Sequence, residues 1–434
     1  MSSLTVSAKL RSVAEQAAQY PQRVFLTLAH LMDPEFLKEA FGQLKRGAAP
    51  GVDGVTWAEY AQNLDANVKD LHERLRTGRY RAQPVKRRWL PKDATSDRPI
   101  GITAVDDKVA QRAVAMLLET VYEPLFYDFA YGFRPGRGAH DALRELRRQA
   151  LATRTTWILD ADISSFFDSI DHAQLREVVQ KRVNDGSIIR LIGKWLNAGV
   201  LEEGKVEYPE AGTPQGGVIS PMLANIFLHT VLDGWFAEEV KPQLRGRSFI
   251  VRYADDFVIG FEREDDARRV MEELPGRFAR FGLTIHPKKT RLVPFDVPPQ
   301  EGAAGSEPGT FDFLGFTHYW GETRSGGWTI KRMTRRSRLS RALSAAWEWC
   351  KEHRHDPMRK QYDRLCSKLR GHYQYYGVRC NYRSLWTVFQ SARRAWRTWL
   401  TRRCNNARIP WEEFQRKYMS AFPLPRPRIV HADV

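Results

Sequence analysis

At 434 residues, with 42% apolar and 27% charged side chains, the chain has the length of two or three domains and is too apolar for wholesale disorder. No run approaches the ~18 uninterrupted apolar residues of a membrane span, and the opening MSSLTVSAKLRSVAEQ lacks the apolar centre of a secretory signal, so a cytoplasmic protein without membrane contact is expected. The net charge of +17 is uneven: residues 328–434 hold 25 Lys+Arg, 7 Asp+Glu and seven of the thirteen tryptophans, while the rest of the chain nets −1. Basic residues interleaved with aromatics suit a polyanion that offers bases to stack on.

In chain order, a helix is expected to start near Asp33-Pro34-Glu35, followed by a Gly/Pro/Asp loop at 45–56 and a helix over 60–78. Residues 80–102 read as two short strands around a basic loop, and the next apolar stripe as a helix halted before Pro124. The β-rich run at 155–170 ends at Asp171-His172-Ala173-Gln174, a capping-box pattern that opens another helix. Residues 212–236 are a glycine loop entering a helix that is apolar all round. A hairpin, a further helix and the basic turn HPKKT follow, then a linker-like stretch at 297–309. The last quarter is helical by pattern, which makes the whole α+β. Its cysteines, Cys350, Cys366, Cys380 and Cys404, form no CxxC pair, which excludes a zinc ribbon and predicts reduced, packed thiols.

Carboxylates interrupt two of the apolar runs. In FIVRYADDFVIGF, residues 249–261, Asp255 and Asp256 stand side by side. Neighbouring strand residues face opposite ways, so the two can serve one site only from a turn, where Asp is also common for its own sake. Asp160 and Asp162 end the run TTWILDADI and, two apart, share a strand face. No lysine or arginine within the hairpin is an obvious partner for acids at the end of a buried strand, so a hard cation is expected to neutralise them. Three aspartates on two neighbouring strands suit two-metal phosphoryl transfer.

The blocks DADISSFFDSIDH, GTPQGGVISPMLANIFL, RYADDFVIGF and FDFLGF resemble, in order and spacing, those of group II intron-encoded reverse transcriptases, with Asp162 and Asp255 93 residues apart. KRGAAPGVDGVT and WLPKDATSDRPIGI resemble the upstream finger blocks of that family. LRGHYQYYGVRCNY resembles its maturase (thumb) core, and FPLPRPRIVH the end of its compact, bacterial class C-like members that lack an endonuclease.

The resemblance implies a right-hand polymerase: an N-terminal helical extension over 1–45, fingers and palm with an antiparallel sheet over 46–320, a mostly helical thumb/maturase domain over 328–400 and a short basic segment over 401–434. It implies that Asp162, Asp255 and Asp256 bind two Mg²⁺ ions, with Asp160 a local structural acid. Phe166 or Phe167 would sit beneath the incoming sugar and exclude a ribose. Gln215 would contact the nucleotide, and Lys92 and Arg98 would hold its triphosphate. FDFLGF would grip the primer, and Arg393, Arg394 and Arg397 would contact nucleic acid from the thumb. Implied partners are intron RNA, template RNA with a DNA primer, deoxynucleoside triphosphates and target DNA, with nucleoid association during mobility. A related polymerase serving defence or repair, and a splicing factor with a vestigial polymerase, stay open as alternatives.

Overall fold

Helices begin where a side chain can take up the first free N–H groups. The computed structural model describes residues 5–91, 97–202, 205–208, 212, 216–298, 308–403 and 409–434. Thr5 opens α1 (Val6–Gln19) by accepting the Ala8 N–H, and Asp33 opens α2 (Pro34–Gly42) by accepting that of Phe36 at 3.0 Å. The helix expected over 60–78 is two: α3 (Trp57–Gln62), started by a reciprocal Thr56–Glu59 capping box, and α4 (Leu64–Arg76).

The strands expected over 80–102 are β1 (Val85–Pro91) and β2 (Asp97–Ile102), followed by α5 (Val105–Tyr122), which stops short of Pro124. Next come α6 (Ala139–Ala152), β3 (Trp157–Ala161), α7 (Phe166–Ser169) and α8 (His172–Gln180). Asp171 caps α8 by accepting the Gln174 N–H at 2.8 Å, one half of the expected box. After α9 (Gly186–Leu196), strands β4 (Val200–Glu202) and β5 (Lys205–Glu207) complete a fingers sheet of order β2-β1-β4-β5.

Helix α10 (Ser220–Leu228) is buried almost all round and runs on as π-helical turns over His229–Asp233 and Trp235–Val240. Strands β6 (Ser248–Tyr253) and β7 (Asp256–Phe261), helix α11 (Glu264–Ala279) and strand β8 (Arg291–Pro294) follow, and the palm sheet is antiparallel throughout in the order β6-β7-β3-β8. Most of the linker-like stretch lies outside the described residues. Beyond it, β9 (Phe311–Phe313), β10 (Phe316–Glu322) and β11 (Trp328–Thr334) form a third sheet. The last quarter thus opens on a strand before it becomes helical in α12 (Arg336–Glu352), α13 (Met358–Tyr376) and α14 (Tyr382–Thr401).

Strand alternation divides the core. Leu159, Ala161, Phe257 and Ile259 face a large apolar cluster with α5, α8, α9 and α10, which also takes Val13 and Ala17 of α1. Ile158, Val251 and Val258 face a second cluster shared with α6, the third sheet, Val378 and Val434. A third cluster joins the thumb helices around Leu369, Phe389 and Trp396. Cys350 and Cys366 are buried free thiols in it, as expected; Cys380 is exposed instead, and Cys404 lies outside the described residues.

Candidate active site

Tyr253 pairs with Asp256 across the β6–β7 hairpin, which leaves Ala254 and Asp255 as a two-residue turn. Ala254 lies at φ +57°, a left-handed conformation that costs a side-chain-bearing residue roughly 1–2 kcal/mol. Two buried neighbours impose it. Arg252, sealed from solvent, donates to the Asp233 carboxylate at 2.7 and 2.6 Å, to Asn225 Oδ1 at 3.0 Å and to the Ala254 carbonyl at 3.0 Å. Asn225 in turn donates to the Gly132 carbonyl at 2.7 Å, and Gly132 packs so closely that a Cβ there would lie 2.2 Å from the Ala254 nitrogen. Asp233 reaches Arg252 from a π-helical turn. A basic residue does therefore stand inside the hairpin, but it serves Asp233 and the turn.

The register of β3 on β7 pairs Asp160 with Val258 and Ala161 with Phe257, so Asp162, one residue past the strand, continues opposite Asp256. The acids at the end of β3 also have basic partners, contrary to expectation. Lys289 Nζ lies 2.8 Å from Asp162 Oδ2, and Arg291, opposite Asp160 on β8, reaches its carboxylate at 3.3 Å. Both come from the HPKKT turn and the strand after it, which the register of β8 on β3 brings alongside. Burial, then the charges of Asp160, Asp255 and Asp162, push the Asp256 carboxyl up to about 7, against a Leu314 N–H that donates to it. Burial also pushes Asp160 up to about 6, offset in part by Arg291.

Among the described residues, no three acidic, histidine or cysteine side chains form a ready-made metal cage. Mg²⁺ commonly takes only one or two carboxylates and completes its shell with water and substrate phosphates. Mutually repelling, partly buried carboxylates around Asp256 fit that use, because a cation would relieve both the repulsion and the burial.

Leu314 belongs to a second tight turn. Phe313 pairs with Phe316, so Leu314 and Gly315 form the turn, at φ +50° and +79°. For leucine this is again a cost of roughly 1–2 kcal/mol. The turn lies beside the β6–β7 hairpin, with the Leu314 N–H facing Asp256.

The two phenylalanines offered for sugar contact separate. Phe166 is 3% exposed, within the largest apolar cluster, whereas Phe167 is half-buried at the edge of that cluster. Arg98 is exposed on β2 of the fingers, opposite Leu90 on β1. Lys92 and Gln215 lie outside the described residues. The glycine loop that follows Gln215 comes close to the fingers: a Cβ on Gly216 would meet the Gly101 carbonyl at 2.5 Å.

The three thumb arginines also differ. Arg393 donates to Gln390 and to Gln415, at 3.0 and 2.8 Å, and Arg397 donates to the Ile409 carbonyl at 3.1 Å. Both lie over the Trp411 ring, at 5.7 and 4.2 Å from its centroid. Arg394 is exposed. Two tryptophans of this helix, Trp396 and Trp399, are core, whereas Trp386 is exposed; Trp396 is 1% exposed and donates its indole N–H to Gln361 Oε1 at 2.8 Å.

A hairpin turn carrying two carboxylates, a third at the end of the adjoining strand and a fingers sheet above them make the palm and fingers of a right-hand nucleic-acid polymerase. The chain belongs to the reverse transcriptase (RNA-dependent DNA polymerase) family, which residues 90–318 match. It is 34% identical over 290 residues to protein YkfC of Escherichia coli strain K12, covering 59% of this chain and 76% of that one. It is also 34% identical over 277 residues to the group II intron-encoded protein LtrA of Lactococcus lactis subsp. cremoris, covering 61% of this chain and 46% of LtrA, so the match spans about half of that relative. Nuclear intron maturase 4, mitochondrial, of Arabidopsis thaliana is 31% identical over 122 residues, 28% of this chain and 15% of that one. These relatives place the chain with the reverse transcriptases of group II introns. No helix among the described residues is long and apolar enough to cross a membrane.

Proposed function

We propose that the protein copies intron RNA into DNA from a primer 3′-hydroxyl and binds the same RNA through its thumb to assist splicing and mobility. The observation that supports this most is the Asp162–Asp256 juxtaposition beside the Asp255 turn, held from behind by buried Arg252. In the reaction the primer O3′ forms a bond to the α-phosphorus of a deoxynucleoside triphosphate, the bond to the bridging oxygen breaks, and pyrophosphate leaves. Asp162, Asp255 and Asp256 would hold Mg²⁺, which when bound supplies activation of the hydroxyl and stabilisation of the leaving oxygen.

The chain's own residues do the rest. Arg252 and Gly132 fix the turn that presents Asp255. Lys289 keeps Asp162 paired until cations and phosphates compete for it. Phe167 lies under the sugar and rejects a 2′-hydroxyl by contact, a role closed to Phe166 by its burial. Arg98, with Lys92, takes the triphosphate, Arg suiting bidentate phosphate contact, and Gln215 the nucleotide. On the thumb, Arg394 contacts phosphate, while Arg393 and Arg397 secure Trp411.

The test is RNA-templated primer extension by the full chain. Asp255→Ala with Asp256→Ala should lose Mg²⁺-dependent extension and keep RNA binding; residual extension at the wild-type rate would rule out the metal assignment. RNA recovered with the protein from its host should be one structured species containing its own reading frame. A mixed RNA population would favour the defence or repair alternative.

A further inference from the structure

Leu314 stands between two domains. Its N–H faces the Asp256 carboxylate in the palm and counters the rise in that acid's pKa, while its carbonyl accepts the Tyr375 hydroxyl at 2.8 Å from the end of thumb helix α13. The Tyr375 ring stacks on Phe316, with centroids 5.8 Å apart and planes at 25°, and Tyr376 meets the same phenylalanine at 5.2 Å. Phe316 is fully buried, and Tyr375 packs against the second apolar cluster. The thumb therefore grips both strand ends of a turn whose leucine sits at φ +50°. A left-handed leucine persists only where its surroundings over-determine it. The Tyr375 bond that holds Leu314 also keeps its amide toward Asp256.

We propose that Tyr375 is a positioning residue for nucleotidyl transfer: its hydroxyl fixes the Leu314 turn so that the Leu314 amide orients the Asp256 carboxylate for metal binding, which ties metal affinity in the palm to the seating of the thumb. The inference rests on the assignment of Asp256 as a metal ligand. Hydrogen bonds to ligating carboxylates tune metal affinity by about 10–100-fold, and here that outer contact is itself held by another domain.

Tyr375→Phe removes one hydroxyl and keeps the ring stack. In the full chain it should raise the Mg²⁺ concentration for half-maximal primer extension by about tenfold. It should also shrink the Mg²⁺-induced rise in Tm measured without nucleic acid, with the metal-free Tm and primer–template Kd close to wild type. Tyr373→Phe, which deletes a hydroxyl bonded to the Pro425 carbonyl at 3.1 Å on the same helix, should leave the Mg²⁺ midpoint unchanged. Leu314→Gly, which makes the turn conformation cheap, should restore the midpoint in the Tyr375→Phe background. A wild-type midpoint and Tm shift in Tyr375→Phe would overturn the proposal. An equal effect of Tyr373→Phe, no rescue by Leu314→Gly, or a metal-free Tm loss that accounts for the lost response would do so too. Failure of the polymerase reading itself would look different: the wild-type chain would show neither Mg²⁺-dependent extension nor a Mg²⁺-induced Tm shift.

Discussion

Arg252 and Asp233, both 0% exposed, meet as a bidentate pair directly behind the Ala254–Asp255 turn, and the arginine's remaining reach goes to Asn225 Oδ1 and the Ala254 carbonyl. Their worth lies less in net stability than in what either would cost alone, because a buried charge stripped of its partner is strongly destabilising. Arg252→Met is therefore expected to lower unfolding free energy by about 3–5 kcal/mol. Adding Asp233→Leu should return much of that loss without returning extension activity, since nothing would then hold the turn. Chemical denaturation of the two variants beside wild type measures both effects.

Phe166 and Phe167 should respond to truncation in different currencies. Phe166→Ala empties a core site and is expected to cost about 3–5 kcal/mol of stability. Phe167→Ala, at the cluster's edge, should cost less and raise ribonucleotide use relative to deoxynucleotide by about tenfold or more. Competing incorporation of a matched ribo- and deoxynucleotide separates them.

On the thumb, Arg394→Ala should weaken RNA binding and reduce the slope of log affinity against log salt by about 1. Arg397→Ala should leave that slope alone and lower Tm, because its guanidinium lies 4.2 Å from the Trp411 ring centroid and bonds the Ile409 carbonyl. A salt titration of binding and one thermal melt per variant decide the matter.

Asp107 gives a pH prediction away from the acids proposed to hold the metal. It is 2% exposed and accepts from the Tyr80 hydroxyl and, at 3.1 Å, the Gln83 N–H, yet burial pushes its carboxyl up to about 6. The folded state therefore favours the protonated acid. Its contribution is full below the unfolded value near 4 and is lost as pH rises through about 6, on the order of 2–3 kcal/mol. Asp107→Asn should flatten Tm between pH 4 and 7 relative to wild type, even if its absolute Tm is lower.

The positions of Asp162, Asp255 and Asp256 are legible in sequence through the order and spacing of the family's blocks, because paired acids at a turn are by themselves ordinary turn chemistry. Their supports are much less so. Arg252 reads as an ordinary strand residue, and its partner comes from π-helical turns that a 3.6-residue periodicity does not show. Lys289 lies in an evidently basic turn, but only the pairing of β8 with β3 brings it to Asp162. Helical spacing correctly puts Arg393 and Arg397 on one face of α14, and it cannot show that Trp411, from beyond the helix, covers that face. Sequence pattern thus finds the acids themselves, whereas groups that act through a distant partner need the fold.

The second apolar cluster has an implication for biosynthesis. It gathers Tyr131, Val258 and Phe311 with Val378 and Val434, so the cover on one face of the palm sheet, begun by α6 and the third sheet, is completed only by residues made up to some three hundred positions after the first of them. At about 5–20 residues per second, the 120-odd residues that follow Phe313 take roughly 6–24 s to appear. For that interval the face, covered in part by α6 and β9, still lacks its last apolar contacts. A ribosome pause within the thumb would lengthen the exposure, making the palm of this polymerase a natural client for chaperones that bind chains still under translation.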